Sequence, residues 1–181
     1  EVTADIRNLL ADTSLAGAEI LPVSSVTGDG IADLALWLQL ASTETRRAAK
    51  GRFRLAVDRS FTIAGAGTVV TGTVFSGSVR AGDPVLVSPS GMEARVRGLR
   101  AQNREAESGA AGQRVALNLA GPRIDKGAIQ RGDWILDPAA HRPTERIDVH
   151  LKLLKSEPKA IRHWLPVHVH LASAHATGRV A

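Results

Sequence analysis

Phe53-Arg54-Leu55-Ala56-Val57 is the stretch that decides the fold. Phe53, Leu55 and Val57 face one way and Arg54 and Ala56 the other, which is the two-residue period of a half-buried strand. Short β-rich runs then recur over 68–75, 83–88, 93–101, 113–120 and 133–136. Between them lie turn formers: Gly65 and Gly67, Ser76-Gly77, Ala81-Gly82, Pro89-Ser90-Gly91, Gly109 and Gly121-Pro122. Many short, evenly spaced strands predict a closed antiparallel barrel or a sandwich. The limited span and the scarcity of aromatics, 3% of residues, favour a small barrel over 52–140.

Upstream the pattern differs. Ile6, Leu9 and Leu10 repeat at helical spacing, and the apolar run Ala18-Glu19-Ile20-Leu21-Pro22-Val23 reads as a buried strand. A polar turn, Ser24-Ser25-Val26-Thr27-Gly28-Asp29-Gly30, precedes a helix carrying Ile31, Leu34, Trp37 and Leu38. Helix, strand, loop and helix make half of an α/β layer, so residues 1–42 are expected to be part of a larger domain. Residues 43–51 lose the apolar period and read as a linker. Downstream, over 141–181, Val149, Leu151 and Leu153 alternate, as do Val167, Val169 and Leu171. At roughly five to six residues per strand this is too little to close a second barrel. The chain is therefore expected to be a piece of a longer protein.

Composition sets outer bounds. With 44% hydrophobic and 23% charged residues the chain can bury a core and is not of the disordered class. It has no cysteine, which excludes a disulfide framework and a thiolate metal site and argues for a reducing compartment. No apolar run approaches the roughly 18 residues of a membrane helix. The net charge of +5 is unevenly spread: residues 1–50 carry 4 Lys/Arg against 7 Asp/Glu, residues 51–140 carry 12 against 8, and residues 141–181 carry 7 against 3. The basic excess on the last two segments fits a polyanion partner or a solvated basic surface.

Motifs for catalysis are missing. No GxxxxGK followed by Ser or Thr, no GxGxxG, no HExxH, no GxSxG and no Cys nucleophile occurs, so no catalytic residue is assigned. The Ser24–Gly30 loop leads from the predicted strand into a helix, the edge where open α/β sheets bind ligands, or it is an ordinary turn capped by Thr27 or Asp29. Glycines at 65, 67 and 72 allow close approach of a backbone or nucleotide, or mark a bulged barrel corner. Asp58 and Arg59, with Arg114, form a small anion site if they meet; the alternative is surface arginines that stay apart. His168 and His170 share a strand face, but no cysteine or placed carboxylate completes a zinc set, and no metal is expected.

The stretch DRSFTIAGAGTVVTGT, from Asp58 to Thr73, resembles the opening of domain two in the bacterial selenocysteine-specific elongation factors of the translational GTPase superfamily, which are elongation factor Tu-like. Leu99-Arg100-Ala101-Gln102-Asn103, Gly112-Gln113-Arg114-Val115-Ala116-Leu117-Asn118 and Gln130-Arg131-Gly132-Asp133-Trp134 continue the likeness in order. His175-Ala176-Thr177-Gly178-Arg179 resembles the start of domain three. The GxGTVVTGT and GQRxALN stretches are shared across the superfamily, while DRxF, AQN and RGDW point to the selenocysteine branch.

The resemblance implies a mainly β fold: an α/β G-domain remnant, a closed barrel of the translation-factor domain two type, and a truncated second barrel. Ser24, Ser25 and Val26 then correspond to the last guanine-contacting motif. Gly65, Gly67 and Thr68 lie where the tRNA end approaches, and Asp58, Arg59 and Arg114 form the selenocysteine pocket. The implied full-length protein is a cytoplasmic GTPase using GTP, GDP and Mg2+, with selenocysteinyl-tRNA and the ribosome as partners. Its mRNA hairpin would be read by a C-terminal region outside these residues. No cofactor is expected on this chain alone. The rivals are a general aminoacyl- or initiator-tRNA carrier of the superfamily and a stand-alone RNA-binding barrel.

Overall fold

A computed structural model of the chain describes residues 1–44 and 49–181. These divide into two compact units. One holds the described residues of Glu1–Arg46 together with Asp148–Ile161, the other the described residues of Arg47–Ile147 together with Arg162–Ala181.

The first unit contains two helices, α1 (Val2–Leu10) and α2 (Ile31–Glu44). The strand expected over 18–23 is not formed: among the described residues the run belongs to no sheet. The strand expected around Val149, Leu151 and Leu153 is likewise absent, and all three side chains are exposed. Apolar alternation becomes a strand only where a neighbouring edge supplies ladder hydrogen bonds. Of the linker read over 43–51, residues 45–48 lie outside the described residues, and α2 runs to Glu44, two residues past its expected end at 42.

The second unit is the barrel. Its strands are β1 (Arg54–Ile63), β2 (Gly67–Ser76), β3 (Ser78–Arg80), β4 (Pro84–Ser88), β5 (Met92–Ala101), β6 (Arg104–Ala106), β7 (Ser108–Ala110), β8 (Arg114–Ala120) and β9 (Trp134–Leu136). Six of them follow the order β4-β9-β1-β2-β8-β5, and the β4–β5 pairing closes the ring, which removes the exposed sheet edges. Strand β6 extends β5 as a hairpin, and β3 pairs with β7 as a separate ribbon. All pairings are antiparallel.

The inward positions are those the alternation marks. Leu55, Val57, Val70, Val74, Val87, Leu117 and Ile135 have no exposed surface, and Phe53 retains 5%. Burying each such side chain contributes about 1.5–3 kcal/mol, so the barrel is held by its aliphatic interior. Gly72 pairs with Val57 on one side and Val115 on the other. A Cβ there would strike the Ala56 carbonyl and lie 2.7 Å from Leu55 Cδ2, so only glycine lets β1 and β2 approach this closely.

After the barrel the same unit carries one hairpin, β10 (Pro166–Leu171) with β11 (Ala174–Arg179). The truncated second barrel expected from the sequence is represented by this hairpin among the described residues.

Candidate functional site

The site forms where β1 breaks its ladder with β2. Val57 pairs with Gly72 and Arg59 with Thr71, leaving Asp58 as an extra, unpaired residue. Such a bulge turns consecutive side chains towards the same side of the sheet. Val57 points into the core, while Asp58 is half-buried and Arg59 exposed.

Three side chains converge there. Asp58 Oδ1 accepts from Arg114 Nη2 at 2.7 Å and from Thr71 Oγ1 at 2.7 Å. Arg114 Nη2 also lies 3.2 Å from Thr71 Oγ1. Arg114 comes from the start of β8, opposite Thr73 on β2, so it shares the outer face with Thr71. The Asp58 side chain is 29% exposed and the Arg114 side chain 50%. At that exposure the pair contributes about 1 kcal/mol or less to stability, so its main effect is to fix geometry.

Arg59 stands directly across from Thr71 in the ladder, which puts it on the same outer face as Arg114. Its guanidinium makes no ion pair among the described residues. The cluster thus holds one arginine against an acid, and a second arginine occupies a ladder position on the same face of the sheet. Thr71 is the member that sequence reasoning missed. Its hydroxyl links two residues that lie 13 and 43 positions away, and a threonine in a β-rich run reads as an ordinary strand former.

The remaining predicted residues lie apart from this cluster. Gly65 and Gly67 form the β1–β2 turn with φ of +80° and +90°, and a Cβ on either would meet nothing within 4 Å. Thr68 is buried at 4%, and its hydroxyl donates to the Asp125 carbonyl at 3.3 Å, so it braces the barrel beneath that turn.

In the first unit, Ser24 organises its own loop. Its Oγ accepts the Thr27 N–H at 3.2 Å and its carbonyl accepts the Gly28 N–H at 2.9 Å. Thr27 Oγ1 donates to Asp29 Oδ2 at 2.7 Å, which closes the turn before α2. Ser25 and Val26 project outward, Val26 with 94% of its surface exposed.

On β10 and β11, the His170 and His175 rings stack 6.2 Å apart. Among the described residues no group of three or more His, Cys, Asp or Glu is arranged to hold a metal. Nor is any described helix long and apolar enough to cross a membrane.

The family described as elongation factor Tu domain 2 matches residues 67–136. The chain is 39% identical, over 181 residues, to the selenocysteine-specific elongation factor of Escherichia coli (strain K12), covering all of this chain and 28% of that protein. It is also 39% identical to the selenocysteine-specific elongation factor of Desulfomicrobium baculatum over 173 residues, 95% of this chain and 27% of that one. The crystal structure of a bacterial selenocysteine-specific elongation factor, EF-Sec, matches with a TM-score of 0.78 at 28% identity, over 99% of this chain and 29% of that chain. The barrel is therefore a translation-factor barrel of the elongation factor Tu domain 2 type. Over its whole length the chain belongs to the selenocysteine-specific elongation factors, and it spans under a third of the length of these relatives.

Proposed function

We propose that this chain is the part of a GTP-dependent factor that holds the selenocysteine end of a charged tRNA for delivery to the ribosome. The observation that carries the reading is the Asp58–Arg114 ion pair, closed by Thr71. A selenol is more acidic than a thiol and is anionic near neutrality, whereas the serine hydroxyl is neutral. Two guanidiniums on one face favour the anion, and Asp58 holds Arg114 in place while limiting the excess positive charge.

In this reading residues 1–42 end a G domain, 43–51 link it to domain two over 52–140, and 141–181 begin domain three. Ser24, Ser25 and Val26 supply a guanine-side contact, while the phosphates of GTP or GDP and the Mg2+ are held by residues outside this chain. Gly65 and Gly67 leave the turn above Thr68 open to the tRNA 3′ end. The factor works in the cytoplasm, and the message hairpin is read by a region outside these residues.

The test is binding of selenocysteinyl-tRNA and seryl-tRNA, at saturating GTP, to full-length factor carrying Arg59→Ala or Arg114→Ala. Each change is expected to weaken the selenocysteinyl complex about tenfold or more, the scale of a lost charge-assisted bond, and to leave the seryl complex nearly unchanged. Equal losses for both tRNAs would contradict the pocket.

A further inference from the structure

The turn joining β10 to β11 packs on the barrel beside the residue that precedes the bulge. Ser173 Oγ donates to the Val57 carbonyl at 2.6 Å. The same carbonyl accepts the Gly132 N–H at 3.0 Å, and the Val57 N–H donates to the Asp133 carbonyl at 2.9 Å. Gly132 has a φ of +100°, and a Cβ there would lie 3.2 Å from Ala174 Cα. The hairpin turn therefore sits against the Gly132 turn, where the backbone conformation favours glycine and a Cβ would press on Ala174.

The Val57 side chain is fully buried, and its carbonyl belongs to the peptide plane that continues into Asp58. Peptide planes are rigid, so the direction of this carbonyl sets how Asp58 leaves the strand. Asp58 has no ladder partner on β2 to fix it. Gly132 and Ser173 hold the plane at its carbonyl, and Thr71 holds the carboxylate at the far end.

We infer that Ser173 is a positioning residue for the Asp58–Arg114 pocket and acts through the Val57–Asp58 peptide. A shift of the β10–β11 turn is thereby transmitted to the acid that orients Arg114, although Ser173 lies 116 residues from Val57 in sequence. The inference rests on the pocket reading above, so its test carries Arg114→Ala as a control.

The experiment measures the affinity ratio of selenocysteinyl- to seryl-tRNA for full-length factor with saturating GTP. Ser173→Ala is expected to lower the ratio about threefold to tenfold, the effect of one net hydrogen bond. Ser173→Thr keeps a hydroxyl and should preserve the ratio. Ser173→Val has the bulk of threonine without the hydroxyl and should behave as Ser173→Ala does. Equal weakening of both tRNAs, or an unchanged ratio where Arg114→Ala collapses it, would overturn the positioning role and leave the pocket standing. An unchanged ratio in Arg114→Ala itself would overturn the pocket, and the inference with it.

Discussion

Thr71 Oγ1 donates to Asp58 Oδ1 at 2.7 Å, the same oxygen that Arg114 Nη2 reaches at 2.7 Å. One carboxylate oxygen therefore joins β1, β2 and β8. The bulge at Asp58 brings the acid to the outer face, and Thr71 prevents it from swinging away on its own rotamers. Asp58 and Arg114 supply the charges of this cluster, while Thr71 and the backbone around Val57 fix where the acid stands.

Removing the Thr71 hydroxyl without changing its bulk isolates this contribution. Thr71→Val should lower the preference for selenocysteinyl- over seryl-tRNA about threefold to tenfold, with a stability loss of about 1 kcal/mol. Thr71→Ser keeps the donor and should retain the preference. Paired binding and denaturant titrations of the two variants check this. Identical behaviour of Val and Ser would remove Thr71 from the pocket.

The barrel makes a separate demand at Gly72. Its missing Cβ lies where the Ala56 carbonyl and Leu55 Cδ2 already are, and that strand segment cannot yield without opening the β1–β2 ladder. Gly72→Ala should cost about 2 kcal/mol or more, the upper part of the range for overpacking. Urea denaturation of the full-length factor reads the loss as a lower midpoint. An unchanged midpoint would mean that β1 and β2 are less closely apposed than described.

Much of this was legible in the sequence because the core is written in period two. Phe53, Leu55 and Val57 marked β1, and Gly and Pro punctuation separated the longer strands. Strands β3, β6 and β7 have three residues each, too few to show a period. The runs at 18–23 and 149–153 carried an apolar signal without a partner edge, which no local pattern reports. The site was legible in part. Asp58, Arg59 and Arg114 stood out through charge and resemblance. The bulge depends on register between two strands, and Thr71 and Ser173 enter through contacts distant in sequence.

If the arginines read an ionised selenium, the affinity for selenocysteinyl-tRNA depends on pH, and a binding titration across the acid range measures that dependence. Seryl-tRNA in the same buffers serves as the reference that cancels titration of the protein itself. As the pH falls from neutrality and the selenol takes up its proton, the advantage of selenocysteinyl-tRNA should shrink, and Arg114→Ala should flatten that dependence. A preference that stays constant across the acid range would contradict the account.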